Sequence, residues 1–401
     1  MNMPALRDDD VVIVSAARTP IGSFMGALAD VSAPALGAVA IEAALSRAGA
    51  PLPAVSEVLM GQVLAAGAGQ APARQAARGA GLPDGVGATA VNKVCGSGLK
   101  AVMLAAQAVR AGDAGVVVAG GMESMSRVPH LAMESRTGRK LGDLTLVDGL
   151  IADGLTDAYG GMHMGVCADR TAERYDISRE AMDAFTRESY RRALAAREAG
   201  NFTDEIVPVE TRGAVCAEDE EPGRYRPDKI DSLKGAFGPD GRVTAASSSS
   251  LNDGAAALVL ASGKTARESG LVPIARLLSQ AGVAHEPEWF TTTPAVALSA
   301  ALSRAGLTPG EVDLYEINEA FAVVAMVAMR ELSLDPDRVN VGGGAVALGH
   351  PIGASGARIL VTLLSALARC GGRYGAAALC VGGGEGVAVV VENLVGASER
   401  G

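Results

Sequence analysis

The sequence predicts an α/β fold built from two similar layered halves with a loop-rich insertion between them. Three observations predict it. Short apolar runs alternate with Ala-rich helical stretches. The pattern around residue 95 returns around residue 355. From Met122 to about Ser250 the chain becomes richer in charge and in loop signals.

Val11-Val12-Ile13-Val14 is a continuous apolar run closed by Ser15-Ala16-Ala17-Arg18-Thr19-Pro20, which suits a strand buried on both faces. An Ala-rich helix follows from about Pro34 to Ala48. Glu57 to Val63 and Thr89 to Val94 read as further strands. Leu99 to Arg110 is apolar nearly all round, so it reads as a buried helix. Gly112 and Gly115 end it, and Val116 to Ala119 is the next strand. The C-terminal part repeats this grammar: Gly353 to Ala357 opens a helix through about Arg369, Cys370-Gly371-Gly372 stops it, and strands follow at Ala376 to Val381 and Gly386 to Glu392. A repeat this long is a duplicated domain, not a solenoid. It divides the chain into an N-terminal half (1–121 with 251–272), an insertion (122–250) and a C-terminal half (273–401). Within the insertion, Arg170 to Ala199 reads as one amphipathic charged helix, and Glu218 to Asp240 is polar and dense in Pro and Gly. Such loops, lying over a site, are where substrate contacts gather.

At 401 residues the chain exceeds one comfortable core. No run of eighteen apolar residues is free of Gly or charge, so no membrane span is expected. The net charge is −10 and no basic block occurs, which weighs against nucleic acid as a partner. Met1 to Asp10 lacks a signal-peptide pattern, and Ser398-Glu399-Arg400-Gly401 is neither a prenylation nor a peroxisomal signal, leaving the cytoplasm as the default. The five cysteines are odd in number and widely spaced, which argues against a disulfide framework. The four histidines form no ligand pair, so no metal site is expected.

Cys95 lies between a predicted strand and a predicted helix, on the turn Gly96-Ser97-Gly98. A lone Cys is more often a small buried hydrophobe. Here the unpaired N–H groups and positive end of a helix favour the thiolate, and the same N–H groups could hold an oxyanion. Gly96, Gly98 and Ala101 also match a dinucleotide fingerprint, but that turn lies far from the first strand. His350 sits in the glycine-dense loop Gly342 to Gly353 just before a helix, a place for acid–base work and for activating a cysteine. Cys380 ends a buried strand beside Gly382-Gly383-Gly384; alone it reads as structural, yet a second thiol could exchange protons with a weakly acidic carbon. Asn318 follows a strand and starts an apolar helix, either as an N-cap or as a donor to an enolate. His163-Met164 is loop packing or a channel wall.

Four segments together resemble the thiolase family: Asn92-Lys93-Val94-Cys95-Gly96-Ser97-Gly98-Leu99-Lys100, Asn318-Glu319-Ala320-Phe321-Ala322, Gly349-His350-Pro351-Ile352-Gly353 and Cys380 to Gly386. The likeness runs from Ser15–Pro20 to the last strand. It implies two similar halves, each a five-stranded sheet layered with helices, and a loop domain between them. It implies Cys95 as the acylated nucleophile, His350 as its base, and Cys380 as the group exchanging the α-proton. Asn318, through a water, and His350 would form one oxyanion hole; the N–H groups of Cys95 and Gly382 would form the other. Tyr159 to Gly165 resembles the short-chain, acetoacetyl-CoA type, in which a His-Met pair lies against pantetheine; His163 and Met164 match it. Phe321 would close the acyl pocket, Ser249 would contact coenzyme A, and Arg224 would meet its phosphates.

The implied activity is a reversible Claisen condensation of two acetyl-CoA to acetoacetyl-CoA and CoA, ping-pong through an acyl-cysteine. The substrates are coenzyme A thioesters, with no metal or prosthetic group and with a homotetramer or homodimer as the assembly. The chain departs from the family at Ala246-Ser247-Ser248-Ser249-Ser250, where a glycine-containing stretch is usual, and at Trp289-Phe290-Thr291-Thr292, where the acetoacetyl enzymes often carry Met. Alternatives are a broader-chain 3-ketoacyl-CoA thiolase, another condensing enzyme, or a non-catalytic acyl-CoA-binding protein. Ketosynthases use two histidines where this chain has His350 and Cys380.

Overall fold

Apolar β-branched and Ala-rich segments assemble into one ten-stranded sheet in the computed structural model, which describes residues 6–48 and 55–395. The readings made on Met1 to Ala5 and on Ser398 to Gly401 lie outside the described residues. The first part of the chain runs β1 (Val11–Arg18), β2 (Gly22–Ser23), α1 (Ala33–Arg47), β3 (Glu57–Gly61), α2 (Pro72–Gly79), β4 (Gly87–Val91), α3 (Ser97–Ala111) and β5 (Val116–Ser124). The insertion carries α4 (Met164–Arg174) and α5 (Arg179–Glu198), and β6 (Asn252–Ser262) closes this part. Then come β7 (Ala275–Ala284), α6 (Thr293–Ala305), β8 (Leu314–Ile317), α7 (Ala322–Leu332), α8 (Ser355–Cys370), β9 (Tyr374–Val381) and β10 (Glu385–Asn393).

The strand order is β8-β9-β10-β7-β1-β6-β5-β3-β4, with β2 on β6. Read outward from its centre, the sheet shows the repeat. β3 and β5 are parallel, β5 and β6 antiparallel, β6 and β1 antiparallel. β8 and β9 are parallel, β9 and β10 antiparallel, β10 and β7 antiparallel. Edge strand β4 has its counterpart in a single parallel bridge between Tyr315 and Val339. The family likeness implies two similar halves, each a five-stranded sheet. Here β1 and β7 pair at Val12–Arg276 and Ile13–Ala275, so hydrogen bonding runs through from one half to the other.

Successive strand residues face opposite sides, and the cores follow. Val11, Ile13, Val117, Ala119, Val387 and Val389 pack with α3 and α8. Val12, Val14, Val116 and Val118 pack with α1 on the other face, as Ala376, Ala378 and Val390 do with α6. α3 and α8 cross closely at their N-termini. A Cβ on Gly98 would lie 2.8 Å from Ala357 N, and one on Gly356 would lie 2.3 Å from Leu99 N, so no larger residue fits either place without moving backbone.

Two readings change. The strand expected at Thr89–Val94 ends at Val91: Asn92 Oδ1 accepts the Val94 N–H at 3.0 Å, and Val94 takes a left-handed φ of 46°. The chain therefore turns before Cys95. The single helix expected at Arg170–Ala199 is two helices. Asp176 is left-handed (φ 49°), and the Ser178 side chain caps α5 by accepting the Ala181 N–H at 3.2 Å. No described helix is long and apolar enough to cross a membrane.

Candidate active site

Because α3 and α8 start side by side, the turns that precede them meet. Cys95 comes from the first and His350 from the second. Both line a cavity of about 490 Å³ with Val94, Met125, Ile352 and Gly382. The insertion supplies the rest of the wall, including Leu155, His163, Met164, Phe237 and Ser249, opposite Phe290, Ala320 and Phe321. The lining is overwhelmingly apolar, with few convergent polar groups, as ligand cavities usually are.

His350 is held at two points. Its N–H donates to Asn252 Oδ1 at 2.8 Å, and its Nδ1 lies 2.5 Å from Ser355 Oγ. The Ser355 hydroxyl donates its one proton to the Pro351 carbonyl at 3.0 Å. With that proton so placed, the hydroxyl accepts from His350 Nδ1–H, the tautomer in which Nε2 is the unprotonated nitrogen. Nε2 is buried and has no hydrogen-bond partner among the described residues. Burial, and then the positive charge of Arg358, push the imidazole down to about 3. At neutral pH it is a neutral base.

Sequence reasoning expects a favoured thiolate at Cys95; burial works against it. Burial pushes the thiol up to about 11, against the N–H groups of Gly382 and of Cys95 itself, which donate toward the sulfur. At 9% exposure the desolvation of a thiolate outweighs the helix terminus. Burial thus works against charge on both the thiol and the imidazole that share this cavity. Gly382 owes its place to the tight turn from β9 to β10, where Gly383 and Gly384 have φ of 88° and 82°.

Cys380 is next to last in β9, and Asn318 directly follows β8, its parallel neighbour. Neither is among the cavity-lining residues. Cys380 is fully buried with Met164, Phe290 and Phe321, and burial pushes its thiol well up, with the Cys95 thiol adding to the shift. Asn318 is not an N-cap, since α7 starts at Ala322. Its backbone N–H donates to Ala378 O at 3.0 Å. Neither side-chain atom has a hydrogen-bond partner among the described residues. A buried amide with both ends unpaired is costly, and it suits a group that binds something the protein itself does not supply.

His163 caps α4, its Nδ1 accepting the Gly165 N–H at 3.0 Å, and burial lowers its pKa. Its ring stacks on Phe237 with centroids 4.9 Å apart, and Phe237 meets Phe321 edge-on at 5.9 Å. Ser249 donates both its N–H and its hydroxyl to Ala320 O at 3.0 Å, which pins the end of the insertion to the cavity wall. The serine run keeps an ordered backbone: Thr244 N–H donates to Ser247 Oγ at 2.9 Å and Ser248 Oγ donates to Thr244 O at 2.7 Å.

Residues 11–264 match the thiolase N-terminal domain and residues 271–393 match the thiolase C-terminal domain. The chain belongs to the thiolase family. Among its relatives, an acetyl-CoA acetyltransferase of Cupriavidus necator is 54% identical over 389 residues, covering 96% of this thiolase-family chain and 99% of the bacterial protein. Acetyl-CoA acetyltransferase 2 of Arabidopsis thaliana is 50% identical, covering 96% and 97%. A Gibberella zeae acetyl-CoA acetyltransferase named as cytosolic is 51% identical, covering 96% and 98%. The Acat5 thiolase from Ascaris suum, solved in complex with coenzyme A, superimposes with a TM-score of 0.92 at 46% identity, over 96% of this chain and all of that one.

In this thiolase-family chain Arg224 does not reach the cavity. It ends a 3-10 turn (Glu221–Arg224), is exposed, and lies near Tyr190. The sequence reading missed Phe237, Ser355 and Asn252. Phe237 was detectable in principle as an aromatic within a polar loop of a chain that has only six phenylalanines. Ser355 and Asn252 act through contacts that only the fold brings about. Among the described residues no group of three or more His, Cys, Asp or Glu could hold a metal ion.

Proposed function

We propose that the chain is an acetyl-CoA C-acetyltransferase, condensing two acetyl-CoA to acetoacetyl-CoA and CoA and running thiolysis in reverse. The observation that carries this is the Cys95 sulfur, faced by two backbone N–H groups and sharing a cavity with the unprotonated Nε2 of His350. His350 takes the thiol proton as Cys95 attacks the thioester carbonyl. The oxyanion falls to the N–H groups of Cys95 and Gly382, and CoA leaves with the proton. Cys380 passes its thiol proton to His350 Nε2, and the resulting thiolate takes an α-proton from a second acetyl-CoA. The enolate oxygen accepts from the now protonated His350 Nε2 and from a water held by Asn318, the enolate carbon attacks the acyl group, and the departing Cys95 thiolate takes back the His350 proton. His163 and Met164 flank the pantetheine, Ser249 lies beside it, and Arg224 meets CoA phosphates beyond the cavity. Phe321 and the fully buried Phe290 limit the acyl group to a short chain.

The deciding experiment is thiolysis of 3-ketoacyl-CoA esters of increasing length by free CoA, beside a Cys95→Ala control. Cleavage of acetoacetyl-CoA that falls steeply with length, and is absent in the control, is the expected result. A preference for longer chains keeps the family and overturns the short-chain assignment. No cleavage at any length overturns the activity. Asn318→Ala is expected to slow condensation by about 2.7–4 kcal/mol of barrier, the usual cost of one oxyanion donor, while acylation of Cys95 continues. Equal loss of both half-reactions would remove Asn318 from that role.

A homotetramer or homodimer goes with this reading. Met133, Leu141 and Tyr159 are 71%, 92% and 79% exposed on the insertion, a display that another copy of the chain would cover; the mass in solution tests it. Cytoplasmic placement is supported by the relative named as cytosolic.

A further inference from the structure

Glu123, next to last in β5, is fully buried. Its carboxylate has no side-chain hydrogen-bond donor or ion-pair partner among the described residues and is satisfied by three backbone N–H groups. Val63 and Gly353 donate to Oε2 at 3.0 Å each, and Leu64 donates to Oε1 at 3.3 Å. These donors belong to two distant segments. Val63 and Leu64 pack around Cys95 together with Met125 and Ile352. Gly353 ends the His350-Pro351-Ile352-Gly353 turn. The turn also leaves no slack on its carbonyl side: a Cβ on Gly121 would lie 2.2 Å from Gly353 O. Asn252 fixes the other end at the His350 N–H.

We propose that Glu123 is a positioning residue for the reaction set out above: its carboxylate clips the turn bearing His350 to the segment walling Cys95, and so holds base and nucleophile in register. A carboxylate is needed because it accepts on both oxygens, whereas an amide accepts on one and turns an N–H donor toward an N–H donor. The charged and titratable groups facing Glu123 are Cys95 and Asp253. Its negative charge opposes a Cys95 thiolate, so the clip cannot serve by activating the thiol directly. It acts through His350.

The test is a double-mutant cycle on the rate of Cys95 alkylation by iodoacetamide at about pH 9, where Glu123, pushed up to about 7 by burial, is ionised, read by peptide mass spectrometry. The proteins are the wild type, Glu123→Gln, His350→Ala and the double variant. With His350 present, Glu123→Gln is expected to slow alkylation and to lower kcat for acetoacetyl-CoA thiolysis by about tenfold or more, with KM little changed. In the His350→Ala background the same substitution should leave alkylation unchanged or speed it, because only the opposing charge is then removed. The same change in both backgrounds overturns the proposal, as does a folded Glu123→Gln enzyme with wild-type kcat. If Glu123→Gln does not fold, Glu123→Asp takes its place: it keeps the charge and shortens the reach, and should slow alkylation only when His350 is present. Alkylation needs no thiolase activity, so wild-type protein that cleaves no 3-ketoacyl-CoA would defeat the proposed function while the cycle still decides the clip.

Discussion

Cys380→Ser is expected to accept an acetyl group on Cys95 and yet to exchange the α-protons of acetyl-CoA about 10²- to 10⁴-fold more slowly, the range over which a positioned acid–base group contributes. The carbon beside a thioester is a weak acid, so the group that takes its proton must be an anion; a thiol gives up its own proton far more readily than a serine hydroxyl, and serine supplies almost no such base. Serine is nearly isosteric, so the buried site around Met164, Phe290 and Phe321 stays filled. Two readouts separate the half-reactions: the acetyl mass shift on the Cys95 peptide, and deuterium uptake into acetyl-CoA from heavy water. Exchange at the wild-type rate would remove Cys380 from its role. Loss of acylation as well would mean that the substitution disturbs the Cys95 side.

Arg18→Met should destabilise the protein by about 3–5 kcal/mol, the cost of stripping one partner from a buried ion network. Arg18 is fully buried in β1. Its Nε donates to Glu205 at 2.7 Å, and its two terminal nitrogens donate to Asp219 at 2.8 and 2.9 Å. Glu205 and Asp219 belong to the insertion, so this guanidinium fastens the insertion to the sheet. Methionine fills much of the space but leaves two buried carboxylates without their cation. The urea midpoint, compared at unchanged slope, measures the loss. A shift worth less than about 1 kcal/mol, the worth of an exposed pair, would show that the carboxylates find other partners and that the insertion is held elsewhere.

The alternation of buried runs and helices was legible because strands buried on both faces leave continuous Val and Ala runs, as in β1 and β5. The repeat was legible because Gly-rich turns before α3 and α8 punctuate both copies. The break between α4 and α5 was not, since Asp176 and Ser178 sit in a charged stretch whose periodicity continues on either side. Joining of the two halves through β1 and β7 depends on a pairing of two residues that leaves no mark on composition. At the site, Cys95 and His350 stood out as rare residue types in glycine-rich turns, and Gly382 opened a run of three glycines. The protonation states did not, because burial, which a linear reading cannot measure, reverses the helix-terminus argument for Cys95. Ser355, which fixes the His350 tautomer, is an ordinary residue in sequence and gains meaning only from its distance.

The two copies of the repeat use the same topological joint in opposite ways. In the first copy, the connection from β5 to β6 opens to admit everything from Met125 to Leu251. In the second, the equivalent connection from β9 to β10 shrinks to Gly382-Gly383-Gly384. One joint has grown into a roof, and its twin has been pared down until bare backbone reaches the sulfur. A sequence inserted at Gly383 would fall on the reacting atoms, whereas the first joint has room to vary.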